Sequence, residues 1–158
     1  MRILVTGASG FIGSHLGKAL HAEHEVLGTT FRSREPLPFP SRVLDITQEQ
    51  PVADLLREYR PSVIIHAAAH SRVLASELDP EGAQTINVLA TGWLVRWAQK
   101  LQARLIFLSS DQVFSGNKGA YIETDATDPI NHYGKTKLEA EQLVLSASSA
   151  NLVVRSNS

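Results

Sequence analysis

Short runs that are apolar at every position alternate along this chain with stretches whose apolar residues return every three or four positions. Ile3-Leu4-Val5 opens the pattern as a run apolar on both faces, the mark of a buried parallel strand. Ile12, Leu16, Ala19 and Leu20 follow at helical spacing. Residues 25–30 predict a second strand, and residues 31–41, with prolines at 36, 38 and 40, predict a loop because proline breaks a helix. A short third strand is expected over 42–44, then a helix over 48–59 with Val52, Leu55, Leu56 and Tyr59 on one stripe. Residues 63–65 predict a fourth strand and 80–101 a long helix with Ile86, Leu89, Trp93, Trp97 and Leu101 on one face. A fifth strand over 105–108, a helix over 131–147 and a sixth strand over 152–154 complete the series. Such alternation predicts an α/β fold, a doubly wound parallel sheet.

In that architecture ligands lie at the carboxyl ends of the strands, so the residues there carry the functional signal. After the first strand come Gly7, Gly10 and Gly13, a GxxGxxG spacing rather than GxGxxG, opening a helix. Gly7 would make the tight turn, Gly10 would let a pyrophosphate approach the backbone, and Gly13 would let helix and strand pack closely. The helix N-terminus then offers N–H groups and a positive dipole end to the anion. The second strand ends in Thr29-Thr30-Phe31-Arg32-Ser33-Arg34 without the acid that holds the ribose hydroxyls of NAD. Arg32 is either a bidentate donor to a 2′-phosphate, which favours NADP(H) and leaves NAD(H) possible, or a solvated loop residue. Asp45 and Ile46 after the third strand fit an adenine amino group and ring, or a helix cap. The small Ala67, Ala68 and Ala69 after the fourth strand let a flat cofactor lie against the backbone. His66 and His70 are four apart, but no third ligand has metal spacing, so no metal is expected.

Composition narrows the partners. Fifteen Lys plus Arg against sixteen Asp plus Glu give a net charge of −1, which leaves no electrostatic footprint for nucleic acid or an anionic membrane. With no cysteine there is neither a disulfide framework nor a thiolate metal site. No apolar run approaches the length of a membrane span, and the N-terminus reads as a strand rather than a leader, so a cytoplasmic protein is the expectation.

The candidate chemistry follows the fifth strand. Ser109 and Ser110 stand at its end, and Tyr133 and Lys137, four apart, share one face of the next helix. A nearby ammonium favours the phenolate, so Lys137 is expected to lower the Tyr133 phenol from its usual value of about 10. Lys137 is also placed to hold the nicotinamide ribose, and Ser110 to hydrogen-bond a substrate carbonyl.

In this order TGASGFIG, Asp45-Ile46, HAAA, Asn87 in INVLATG, SSDQVFSG and YGKTK resemble the extended short-chain dehydrogenase/reductases, with their Rossmann fold. The stretch from SSDQVFSG to YGKTKLEAE is most similar to the dTDP-4-dehydrorhamnose reductase branch, which reduces a keto group on a nucleotide-activated deoxysugar with NAD(P)H. Carried over residue by residue, the resemblance implies Ser110, Tyr133 and Lys137 as the catalytic triad and Asn87 as the support of a proton-relay water. It also implies Phe11 and Ile12, beside the three glycines, at the cofactor. The chain differs from that branch at Gln112 and Ser115, where a tyrosine and a second aspartate are usual, and after the alanine stretch at Val73-Leu74, where Val-Asp is usual. The branch includes the regulatory beta subunit of methionine adenosyltransferase, and related enzymes are sugar epimerases and dehydratases. The partner implied is a nucleotide-sugar substrate, and a homodimer is compatible with the resemblance. Members run to nearly twice this length, which implies that residues 1–158 are the NAD(P)-binding domain of a longer protein, without the C-terminal substrate-binding part.

Overall fold

The computed structural model describes residues 1–32 and 36–157. Ser33, Arg34 and Glu35, inside the loop expected over 31–41, lie outside the described residues.

Six strands form one all-parallel sheet: β1 (Arg2–Thr6), β2 (Glu25–Thr30), β3 (Ser41–Val43), β4 (Val63–His66), β5 (Arg104–Ser110) and β6 (Leu152–Ser156). Their order is β3-β2-β1-β4-β5-β6, the doubly wound arrangement in which the order reverses between β1 and β4. Ile3 stands level with Val26 on one side and Val63 on the other, so β1 is paired along both edges.

The apolar runs divide between two faces because successive side chains of a strand point to opposite sides. Ile3, Val5, Val26 and Ile65 pack with Leu16 and Leu20 of α1 (Phe11–His21). Leu4, Leu27, Ile64, Leu105 and Phe107 face the other way. There they meet α2 (Glu49–Tyr59), α5 (Ala90–Leu101) and α6 (His132–Ala147) through Leu56, Leu94, Ala140 and Val144. Each fully buried Leu, Ile or Phe of this core contributes about 1.5–3 kcal/mol.

Helix ends follow local chemistry. Asp79 accepts the Gly82 N–H at the start of α4 (Pro80–Gln84), with Pro80 in the first turn. Asn131 accepts the Gly134 N–H to cap α6. Arg60 and Gln102 end α2 and α5 in the left-handed conformation.

Three features differ from the sequence expectation. The helix expected over 80–101 is α4, a π-helical turn (Thr85–Leu89) and α5 in succession. A short helix, α3 (Val73–Leu78), stands where none was expected, held at Ser76, whose hydroxyl bonds the Arg72 and His70 carbonyls. The third strand lies one residue earlier than 42–44, which frees Leu44 to pack on the α2 side of the core. Among the described residues no helix is long and apolar enough to cross a membrane.

Candidate active site

A cleft of about 770 Å³ opens across the carboxyl ends of the strands, over the point where their order reverses. Gly7, Gly10, Phe11, Ile12 and Gly13 line it from the first loop, Asp45 and Ile46 from the stretch after β3, and Ala67, Ala68 and Ala69 from that after β4. Ser110, Tyr133 and Lys137 line the opposite wall. Segments far apart in sequence thus converge on one cavity.

Gly7 has φ +67°, and a Cβ there would stand 2.6 Å from the Ala68 nitrogen, so the first loop and the alanine stretch are in backbone contact. A methyl on Gly13 would collide with the Gly7 carbonyl. The first turn of α1 has neither a side-chain cap nor an acid, so its leading N–H groups are left to an anion in the cleft. On the far wall the Ser109 hydroxyl is buried with no partner, as expected of a group that bonds a ligand.

Tyr133 is buried, and loss of water raises its phenol above the ordinary value; the Ser110 hydroxyl opposes the rise and the Asp111 charge adds to it. Ser110 Oγ donates to Asp111 Oδ1 at 3.0 Å and accepts the Gln112 N–H at 3.2 Å. Lys137 Nζ donates to the Leu108 carbonyl at 2.6 Å and lies 3.9 Å from the centre of the Phe107 ring. The expected lowering of the Tyr133 phenol by the Lys137 ammonium is therefore not found. The long side chain ends against β5, on the Leu108 carbonyl and the Phe107 ring. Burial pulls Lys137 itself down to about 7, against the charge of Glu141 one turn further on. Glu141, 2% exposed, is in turn held by Arg155 of β6 through contacts of 2.7 and 3.0 Å.

Two expected residues stand outside the lining. Arg32 is exposed at the rim, its guanidinium 4.6 Å over the ring of Phe31, which does line the cleft. Asn87 is buried in the π-helical turn with its amide fully engaged. Its Oδ1 accepts the His70 N–H at 2.8 Å, and its Nδ2 donates to the His70 carbonyl and to Thr136 Oγ1. Asp45 does not cap α2, whose N-cap is Gln48 without a side-chain bond. Asp45 lines the cleft, and its Oδ1 accepts from the amide and hydroxyl of Thr47 in the turn leading to α2.

His66 and His70 have separate partners. His66 is buried between Thr6 and Thr91, while His70 Nδ1 meets Ser76 Oγ at 3.0 Å. Among the described residues no group of three or more His, Cys, Asp or Glu could hold a metal ion. The threonine partners of His66 and the Glu141–Arg155 pair were missed from the sequence. No motif spacing announces them, since each joins elements distant in the chain.

The RmlD substrate binding domain family matches residues 1–158. The chain belongs to this family. Methionine adenosyltransferase 2 subunit beta of Rattus norvegicus is 38% identical over 145 residues, covering 91% of this chain and 42% of the relative. The dTDP-4-dehydrorhamnose reductase of Aggregatibacter actinomycetemcomitans is 35% identical over 159 residues, covering 99% and 51%. Among solved structures, dTDP-4-dehydrorhamnose reductase from Bacillus anthracis in complex with NADP superimposes with a TM-score of 0.86 at 31% identity, covering 99% of this chain and 53% of that one. The chain spans about half the length of the curated relatives it matches.

Proposed function

We propose that this chain is the cofactor-binding part of an NADP(H)-preferring oxidoreductase that reduces the 4-keto group of a nucleotide-activated deoxysugar. The observation that carries the proposal is the presence of Ser110, Tyr133 and Lys137 on the wall facing the glycine loop of one cleft. NADPH held in this cleft would supply hydride for the keto carbon. Tyr133, protonated at neutral pH and raised further by burial, is the group that gives a proton to the keto oxygen. Ser110 swings its hydroxyl from Asp111 to the same oxygen and stabilises the charge that develops there. Lys137 donates to a ribose hydroxyl from beside Leu108, and the unpartnered Ser109 hydroxyl is a further donor at that wall.

The cofactor preference rests on the absence of an acid at Phe31-Arg32, directly after β2, and on the exposed Arg32 lying over Phe31, which lines the cleft. NADPH is expected to raise the melting temperature more than NADH at equal concentration, because a ligand stabilises the state that binds it. Arg32→Ala should erase the difference. A larger rise with NADH in the unmodified protein would overturn the preference.

For catalysis, Tyr133→Phe removes the proton donor and little volume. Reduction of a dTDP-4-keto sugar by the protein carrying both halves should fall about 100- to 10,000-fold, while NADPH titrations stay unchanged. Retained turnover would refute the role given to Tyr133. A second reading, a nucleotide-binding regulatory subunit, is favoured by the 38% identity to a methionine adenosyltransferase subunit. Tight NADPH binding with no turnover of any keto-sugar nucleotide would select it.

A further inference from the structure

A line of buried hydrogen bonds crosses the sheet beneath the cleft. Thr91 Oγ1 donates to the Asn87 carbonyl at 2.7 Å, which leaves its oxygen to accept from His66 Nε2 at 3.0 Å. Thr6 Oγ1 takes the Ala68 N–H at 3.3 Å and lies 2.7 Å from His66 Nδ1, and with the ring proton on Nε2 the Thr6 hydroxyl is the donor to that nitrogen. Both threonines thereby match one neutral tautomer of His66, with its proton on Nε2. Beyond Asn87 the line continues from Nδ2 to Thr136 Oγ1 at 2.9 Å, and from that hydroxyl to the Tyr133 carbonyl at 2.8 Å. One end therefore lies on Ala68, against Gly7, and the other on the residue assigned as proton donor. His66 is fully buried, its ring 5.5 Å from that of Phe107, which carries Lys137 on it.

We infer that His66 is a positioning residue of the dinucleotide site, a neutral strut that ties the alanine stretch under the glycine loop to the helix carrying Tyr133. The functional half of this inference rests on the cofactor reading above. Neither Thr91 nor Thr136 lines the cleft, so a direct effect on a ligand is not built into them. Burial, with the Lys137 charge adding, holds the imidazole down to about 3, which keeps the strut uncharged at any physiological pH. A proton on Nδ1 would turn the Thr6 hydroxyl from donor to acceptor at that contact and take away the partner of its own proton.

Thr91→Val and Thr91→Ser provide the test, because one removes the hydroxyl at nearly constant shape and the other keeps it. Nitrogen-15 spectra of the unmodified chain should show His66 as the neutral Nε2–H form from pH 7 down to pH 5, and amide exchange at Ala68 should speed up in Thr91→Val but not in Thr91→Ser. NADPH affinity, measured well below each melting temperature, should fall roughly 3- to 30-fold in Thr91→Val, the range for remote positions in a coupled network, and be kept by Thr91→Ser. A variant that only loosened the fold would lower the melting temperature and leave the affinity alone, and that result would overturn the strut. So would a charged or Nδ1–H His66 at pH 6, whether or not Thr91→Val folds. If the unmodified chain bound no dinucleotide, the cofactor reading would fail by itself, and the tautomer and exchange results would still decide the strut.

Discussion

Lys137 has one carbonyl, one aromatic ring and almost no water about its amino group, and its protonation is coupled to folding. Its value falls from an ordinary 10.5 to about 7 in the folded chain, chiefly through burial. Between those limits the unfolded chain binds a proton that the folded chain does not, so this residue's contribution to stability improves as the pH rises from 7 to 10.5. The whole shift corresponds to roughly 5 kcal/mol as an upper bound. Urea midpoints of the unmodified chain relative to Lys137→Met should therefore climb across that window, and a flat difference would contradict the buried placement. The four-residue spacing of Tyr133 and Lys137 was legible in the sequence, and both line the cleft. The direction of the lysine was not, because helical spacing gives the face but says nothing of a strand carbonyl such as that of Leu108. Arg32 was legible only as a charge at a strand end, and its stacking on Phe31 depends on a loop no periodicity describes.

At the scale of elements, the placement of α6 decides whether Tyr133 meets Ser110. Asn131 caps the helix and also donates to Gln112 Oε1 at 2.8 Å, while Glu77 of α3 accepts the His132 N–H at 2.6 Å. Gly134 lies against the Gln112 carbonyl in the single 3₁₀ turn after Ser110, and a Cβ there would collide with it. Gly134→Ala should therefore push α6 off that turn, at a cost of about 1–3 kcal/mol. Cofactor-linked chemistry should be lost before cofactor binding, checked by chemical denaturation beside NADPH titration. An unchanged midpoint would mean that the contact is softer than the backbone geometry implies. Gln112, at a position where the resembled branch usually has tyrosine, is thus tied to the helix cap. The π-helical turn escaped the sequence because one residue of slippage over Thr85–Leu89 hardly disturbs a stripe running from Ile86 to Leu101. The short α3 escaped because it begins without a side-chain cap and turns two of its leucines to solvent.

For the molecule as a whole, six apolar runs in alternation with helices were enough to read the doubly wound sheet, since parallel strands need helical crossovers and the crossovers have one hand. The strand order was not read from the runs, because buried strands apolar on both faces look alike whether central or lateral. Among the described residues β6 pairs with β5 alone and exposes 42% of Leu152 and 39% of Val154. An apolar strand edge of this kind is a template for pairing with another chain. Sedimentation should show concentration-dependent association that Val154→Lys suppresses, and a monodisperse unmodified chain would refute it.

The parallel sheet also gives the molecule a top and an underside. All six strands run toward the cleft, so Met1 projects from the underside, whereas Ser156 and Asn157 stand in the cleft wall. A tether on the amino end holds the molecule by its base and leaves the mouth facing outward. A label is therefore better placed at the amino end, since Ser156 and Asn157 already stand among the residues that line the cleft.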